Sequence, residues 1–206
     1  MKRIELESWD RREIFEFFSP ISNPFYSVCF RLDVTELRRY CMQHDLSFYY
    51  ALVFLATRAV NDTQAFLYTI ENGDVFLLDE RLPSFTDRGE DDKYFRIVTM
   101  PRGDDLAAFC ADAKRKSLAQ SCFIDYASES RSLIYFSTLP WLDVTALTNE
   151  RDLDRDDAIP RIAWGKYVEE NGRLKLGVSV EVNHRFVDGA DIGAFAERLE
   201  ELIGAL

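Results

Sequence analysis

Histidine is nearly absent from this chain: His44 and His184 are the 2 among 206 residues. With so few imidazoles, metal chemistry would rest on carboxylates, and no carboxylate cluster stands out as a ligand set. Cysteine is sparse too. Cys29, Cys41, Cys110 and Cys122 are scattered and form no Cys-x-x-Cys pair, which indicates neither a zinc site nor a disulfide framework and fits a reducing cytoplasm. Positive charge is in deficit. The 25 Lys and Arg against 36 Asp and Glu leave a formal net charge of -11, which argues against nucleic acid or an anionic membrane as the main partner. No apolar run approaches the ~18–20 residues of a membrane-spanning helix, and Met1-Lys2-Arg3-Ile4-Glu5 turns acidic at once, unlike a secretory leader. Gly-x-Gly-x-x-Gly, phosphate-loop and Gly-x-Ser-x-Gly patterns do not occur, which disfavours dinucleotide, phosphate-loop and serine-nucleophile enzymes.

What is present is apolar and aromatic. Hydrophobic residues make up 47%, with 16 Phe and 9 Tyr, enough to bury a substantial core. The length suits one domain spanning residues 1–206, and two small ones would also fit. Leu174, Leu176, Val178, Val180 and Val182 alternate with Lys175, Gly177, Ser179, Glu181 and Asn183, which predicts a half-buried strand. Beyond it, Ile192, Phe195, Leu199, Leu202, Ile203 and Leu206 recur at helical spacing. Upstream, helices are predicted over 10–18, from Asp33 or Thr35 to Met42, from a Ser47 cap to Val60, and from Asp104 or Asp105 onward with Leu106, Phe109, Cys110 and Ala113 on one face. Strands are predicted over 25–32, 66–70, 75–78, 84–88, 94–100 and 133–137, and over 161–168 as hairpin partner of 173–182. Residues 151–157 read as a charged, solvated loop. The sum is an α+β fold of two layers, a largely antiparallel sheet with helices packed on it.

Three places could carry chemistry. His184 shares the parity of the apolar positions and lies at the end of its strand, with Asp188-Gly189 opening the next helix. It is either a core histidine held by hydrogen bonds or a base facing a pocket, for which imidazole is the side chain best matched to neutral pH. His44, in Gln43-His44-Asp45 between two helices, reads as a surface residue. Ser137, at the end of its strand in Ser137-Thr138-Leu139-Pro140-Trp141, either caps a turn or offers a hydroxyl to an oxyanion. Arg11 and Arg12 read as a solvated helix face, unless one of them pairs with a carboxylate such as Asp188.

Four segments taken together are more specific. Trp9-Asp10-Arg11-Arg12-Glu13-Ile14-Phe15-Glu16-Phe17, Ser137-Thr138-Leu139-Pro140-Trp141, Gly165-Lys166-Tyr167 and Asn183-His184-Arg185-Phe186-Val187-Asp188-Gly189 resemble, in order and across nearly the whole chain, the type A chloramphenicol acetyltransferases. The last segment is similar to that family's His-His-x-x-x-Asp-Gly motif, shared with the acyltransferase domain of dihydrolipoamide complexes. The Ser-x-x-Pro-Trp element narrows the likeness to the former.

The resemblance implies a homotrimer of α/β subunits with active sites at subunit interfaces, acetyl-CoA as co-substrate, no metal, and chloramphenicol or a similar hydroxylated small molecule as acceptor. It assigns His184 as the base that takes the acceptor hydroxyl's proton and Ser137 as the oxyanion donor. Asp188 paired with Arg11 becomes structural support. Phe17, Phe18, Phe25, Tyr26 and Trp141 become the aromatic surroundings of the substrates. Three positions depart from the family pattern: Asn183 stands for the first histidine, Ala163 for a threonine that organises a water near the oxyanion, and Phe18 for a tyrosine that contacts the antibiotic. The last two keep open a different acceptor, or a homologue that binds ligand without turnover.

Overall fold

A computed structural model describes residues 1–89, 93–152 and 154–206. Along the chain run β1 (Lys2–Arg3), α1 (Arg12–Phe18), β2 (Phe25–Asp33), α2 (Thr35–His44), α3 (Phe48–Asn61), β3 (Tyr68–Glu71), β4 (Asp74–Leu77), β5 (Leu82–Asp87), β6 (Arg96–Thr99), α4 (Leu106–Ala119), β7 (Leu133–Thr138), β8 (Arg161–Trp164), β9 (Val168–Glu170), β10 (Arg173–Asn183) and α5 (Gly189–Gly204). The main sheet has the order β2-β10-β8-β7-β5-β6, with β9 pairing the start of β10, and a small sheet has the order β1-β4-β3. Pairing in the main sheet is antiparallel except for β5 with β7 and β7 with β8. The two-layer α+β architecture predicted by the alternating and helical patterns is therefore what forms, as a mixed sheet.

The core follows from the alternation. Leu176, Val178, Val180 and Val182 of β10 lie in register with Leu32, Phe30, Val28 and Tyr26 of β2, and Val178 and Val180 with Trp164 and Ile162 of β8. Phe136, Phe85 and Val98 extend this face across β7, β5 and β6. Helices α2, α3, α4 and α5 cover it. The central helix is α3, whose side chains from Tyr50 to Thr57 are all buried. Burying a Leu, Val or Phe side chain contributes about 1.5–3 kcal/mol, so this layer supplies much of the driving force for folding.

The other face of β10 is a correction to the half-buried reading. Ser179, Glu181 and Asn183 are as buried as their apolar neighbours, because the irregular segment 139–160 lies across them. Ser179 Oγ donates to the Leu147 carbonyl at 2.6 Å. Glu181 accepts from the Asn149 amide at 3.1 Å and from Arg151 Nε at 2.9 Å. Asn183 Nδ2 donates to the carbonyls of Arg155 and Asp157, both at 3.0 Å. A segment without strand pairing must find partners for its backbone elsewhere, and these polar side chains supply them. The solvated-loop reading of 151–157 is thereby overturned at its ends: the Arg151 side chain is 5% exposed and bridges Glu181 to Asp157, which also holds Arg161. Leu153 of that stretch lies outside the described residues.

The same segment breaks the predicted hairpin strand 161–168 into β8 and β9. The Lys166 amide donates to the Leu142 carbonyl at 2.6 Å, and a Cβ on Gly165 would sit 2.4 Å from that oxygen. The first hairpin is shifted as well. Gln64–Leu67 forms a short 3-10 turn, so pairing starts only at Tyr68. Arg81, which belongs to no pattern legible in the sequence, is fully buried. Its guanidinium donates to the carbonyls of Phe66, Tyr68, Arg131, Leu133 and Ala158. Burial lowers its pKa to about 9, partly offset by Asp157. It ties the small sheet to the main one.

Candidate active site

The chain leaves β10 after Asn183 in a tight turn in which the amides of Phe186 and Val187 donate to the Asn183 carbonyl at 3.0 and 3.2 Å. The His184 amide donates to the Pro24 carbonyl at 2.8 Å, pinning the turn to the start of β2. Its imidazole lies between two aromatic rings, Phe18 and Tyr26, each with centroids 4.2 Å away. His184 Nδ1 lies 3.2 Å from the Val187 carbonyl. A carbonyl can only accept, so Nδ1 carries the proton and Nε2 keeps its lone pair. This is the tautomer a general base requires. His44 is exposed at the end of α2, against Tyr40.

Below the histidine, Asp188 caps α5. Its Oδ1 accepts from the amides of Ala190 at 2.9 Å and Asp191 at 3.4 Å, and Asp191 Oδ2 accepts from the Asp188 amide at 2.8 Å, a reciprocal capping box. Arg11, at the start of α1, donates from Nη1 to Asp188 at 3.1 Å and from Nε to the Arg185 carbonyl at 3.1 Å. Burial pushes the Asp188 carboxyl up, but the amides of Asp191 and Ala190 together with Arg11 outweigh it and hold it below the ordinary range. Burial pushes Asp191 up. Burial, with Asp188 and Asp191 nearby, raises the Tyr26 hydroxyl to about 12, so Tyr26 stays neutral beside the imidazole.

Asn183, standing where the family pattern has its first histidine, is a structural residue. Its Oδ1 accepts from the amide and Nε of Arg185 at 3.1 and 3.2 Å, opposite the two bonds to segment 139–160. Arg185 in turn is 3% exposed and pairs with Asp156 at 3.1 Å.

Ser137 is not part of this cluster. It pairs with Ala163 on β8, which pairs with Ser179 on β10, so it sits two strands away and five residues short of His184. At ~3.3 Å per residue and ~4.8 Å per strand the two side chains are roughly 20 Å apart within one chain. Ser137 also faces away from the helices. At the β6 edge of the sheet stands an aromatic pair that no local sequence pattern marks: Phe95, preceding β6, and Phe123, 46% and 53% exposed, with centroids 5.4 Å apart. Their large exposed area is the signal of a contact surface, but only once the fold shows that they adjoin.

The five predicted aromatics divide accordingly. Phe18 and Tyr26 flank His184, and Phe17 meets Phe18 edge-on at 5.0 Å. Phe25 points to the opposite face of the sheet, under the Arg151 guanidinium at 3.8 Å. Trp141 is 69% exposed on the turn after Ser137. Ala163 is fully buried beside Ser137, with no hydroxyl to offer. Among the described residues no His, Cys, Asp and Glu group has the arrangement of a metal site, and no helix is long and apolar enough to cross a membrane.

The model of a family described as chloramphenicol acetyltransferase matches residues 1–200. The chain belongs to the chloramphenicol acetyltransferase family. Chloramphenicol acetyltransferase 3 of Escherichia coli is 25% identical over 203 residues, covering 97% of this chain and 95% of its own. The chloramphenicol acetyltransferase of Bacillus pumilus is 26% identical over 201 residues, covering 96% and 91%. Among solved structures, a chloramphenicol acetyltransferase superposes with a TM-score of 0.90 over 98% of this chain and 99% of its own at 24% identity. A dihydrolipoamide acetyltransferase of Azotobacter vinelandii superposes with a TM-score of 0.72 over 93% and 85% at 17% identity. As a member of the chloramphenicol acetyltransferase family the protein is an acyltransferase, and the resemblance carried by the four sequence segments is correct.

Proposed function

We propose that the protein is an acetyl-CoA-dependent O-acetyltransferase in which His184 is the general base and Ser137 the oxyanion donor, with chloramphenicol or a similar hydroxylated small molecule as acceptor. The observation that carries this reading is the state of His184: Nδ1 committed to a backbone carbonyl, both ring faces covered, Nε2 left with its lone pair. Nε2 takes the proton of the acceptor hydroxyl as its oxygen attacks the thioester carbonyl of acetyl-CoA. The carbonyl π electrons move to oxygen, where the Ser137 hydroxyl stabilises the negative charge. Collapse of the tetrahedral adduct breaks the C–S bond, and the imidazolium returns its proton to the leaving thiolate. The products are an acetyl ester and free CoA. Asp188 and Arg11 act as positioning residues, holding the turn on which His184 sits.

Acetyl-CoA is a co-substrate, and none of these steps calls for a metal. The exposed side chains of Trp141 and Leu142 in the turn after Ser137 suit the thioester arm, and the exposed pair Phe95 and Phe123 at the β6 edge suits an aromatic acceptor. Because Ser137 and His184 are roughly 20 Å apart in one chain, both reach one substrate only if the serine comes from a neighbouring copy. We therefore read the active form as a homotrimer with sites between subunits, working in the cytoplasm. A second acceptor stays in view for a specific reason. Phe18 brings no hydroxyl to the histidine and Ala163 none to the serine, so two polar contacts of the family pattern are missing.

The test is thiol release from acetyl-CoA with and without chloramphenicol. Release that depends on the antibiotic and drops by at least ~10³ in His184→Ala supports base and acceptor together. Background rates with chloramphenicol, but histidine-dependent release with another alcohol, would keep the mechanism and replace the acceptor.

A further inference from the structure

The chemistry assigned to His184 creates a charge that its own turn does not answer. Once Nε2 takes a proton the ring is an imidazolium, half-buried just past the end of β10. Its Nδ1 faces the Val187 carbonyl at 3.2 Å rather than a carboxylate. Among the described residues no carboxylate forms an ion pair with it. The two acids that open α5 are committed elsewhere. Asp188 Oδ1 accepts from the amides of Ala190 and Asp191, and its Oδ2 from Arg11 at 3.1 Å. Asp191 Oδ2 accepts from the Asp188 amide and lies 3.5 Å from Arg11. A partly buried charge without a counter-ion is costly, so another group must face it.

What faces it is aromatic. Phe18 covers the imidazole at 4.2 Å between centroids with an interplanar angle of 24°, and Tyr26 at 4.2 Å and 30°. The face of such a ring carries the negative side of its quadrupole. It attracts a cation within about 6 Å of the centroid, more strongly where water is excluded. Of the two rings, Tyr26 is the better anchored. It lies in β2 in register with Val182 of β10, and the carbonyl of Pro24, two residues before it, accepts the His184 amide at 2.8 Å. Ring and imidazole therefore hang from one pair of strands, whereas Phe18 is the last residue of α1. The Tyr26 hydroxyl adds no anion. Burial, with Asp188 and Asp191 nearby, keeps it protonated, and it is buried without a hydrogen-bond partner. The ring face is what Tyr26 offers the histidine.

We propose that Tyr26 is a positioning residue of the transfer reaction that acts through His184: its ring face stabilises the imidazolium, in the place that the aspartate takes in a Ser-His-Asp triad. The proposal deepens the O-acetyltransferase reading and rests on it for His184 as the base. The charged groups that border the pair are Arg11 at the start of α1 and Asp188 and Asp191 on α5. They offset one another in part, and an exchange of Tyr26 alone leaves all three in place.

With only 2 histidines in the chain, the charged state can be watched directly. In NMR titrations with carbon-labelled histidine, His44 and His184 give two signals. His184→Ala assigns them, and exposed His44 is the internal control. The proteins compared are the wild type, Tyr26→Phe, Tyr26→Leu and a chain with pentafluorophenylalanine at position 26, which keeps the shape of phenylalanine but reverses the charge distribution of its ring. Circular dichroism confirms folding, and the fluorinated ring carries the test if the leucine variant does not fold. Tyr26→Phe should keep the wild-type midpoint of His184. The leucine and fluorinated variants should bind the proton about tenfold more weakly, a midpoint lower by about one pH unit, with His44 unmoved. In thiol release from acetyl-CoA both should lose severalfold in kcat with the KM for acetyl-CoA unchanged, and Tyr26→Phe should recover most of that loss. A fluorinated variant that titrates like Tyr26→Phe, or a shift shared by His44, overturns the proposal. Histidine-dependent thiol release in that case leaves the acetyltransferase reading standing. The expected shift without histidine-dependent thiol release supports the stabilised imidazolium and overturns the reading it rests on.

Discussion

Asp33 shows how a single carboxylate organises this fold. It closes β2 and accepts from the Thr35 amide at 3.0 Å, the Thr35 hydroxyl at 2.7 Å, Arg173 at 2.7 Å and Lys175 at 3.1 Å. Burial pushes its pKa up, but Arg173, Thr35 and Lys175 outweigh that and hold the carboxyl well below the ordinary range. A carboxyl whose folded pKa is depressed stabilises the protein above its unfolded pKa of ~3.9, and that stability is lost as pH falls through the folded value. Its head group stays near the surface, so solvent screens the ion pairs and the net effect is about 1 kcal/mol. Asp33→Asn should therefore lower stability at pH 7 by about that amount in urea denaturation. The gap to the wild type should narrow once pH falls below ~4. A gap that stays constant from pH 7 to pH 3 would mean that Asp33 acts by shape alone. At the opposite end of the sheet Asp188 uses the same chemistry, amides plus one arginine, to hold the His184 turn.

At the scale of elements, the less regular part decides most. Among its described residues, segment 139–160 forms no strand with the sheet beneath it, yet it buries the polar face of β10 and interrupts the run from β8 to β9. Its closest approach is at Gly177, where a Cβ would lie 1.9 Å from the Val144 carbonyl. Gly177→Ala must push the segment off β10, at a cost of about 1–3 kcal/mol. For a chain of this size that lowers Tm by several degrees, ~5 °C at the middle of the range. Gly193→Ala is the matched control. It lies in α5, where an added Cβ meets nothing within 4 Å, and it should leave Tm unchanged or raise it slightly, because alanine favours helix. Equal effects of the two substitutions in a thermal scan would show that the segment yields freely. The contrast also explains what the sequence could reveal. The alternation from Leu174 to Val182 marked a strand, and the heptad-like run after Gly189 marked a helix, because both patterns are local. Ser179, Glu181 and Asn183 looked solvent-facing because a polar residue paired to a covering backbone has the same one-letter signature as one paired to water. Arg81 was silent for a related reason, since its five carbonyl partners lie 13 to 77 residues away.

At the scale of the whole molecule, the decisive fact is a separation. Composition and motif marked both His184 and Ser137, yet only the sheet order shows that one chain cannot use them together: two strands and five residues stand between them. Neither residue can move toward the other, because Ser137 is held by strand pairing to β8 and the His184 turn is pinned to the Pro24 and Asn183 carbonyls. If both act on one substrate, the partner is a second copy, and closed rotational symmetry gives every subunit the same pair of half-sites. The consequence is testable without a structure of the assembly. His184→Ala and Ser137→Ala should each be crippled alone, the serine variant by ~10²–10³. Co-expressed in equal amounts and mixing at random, the two should recover about a quarter of wild-type thiol release, because that fraction of interfaces joins an intact histidine to an intact serine. Sites contained within single subunits would recover nothing, since each subunit carries one of the two lesions. The recovered activity should also be lost on dilution below the assembly's dissociation constant, whereas an activity carried by one chain is independent of protein concentration.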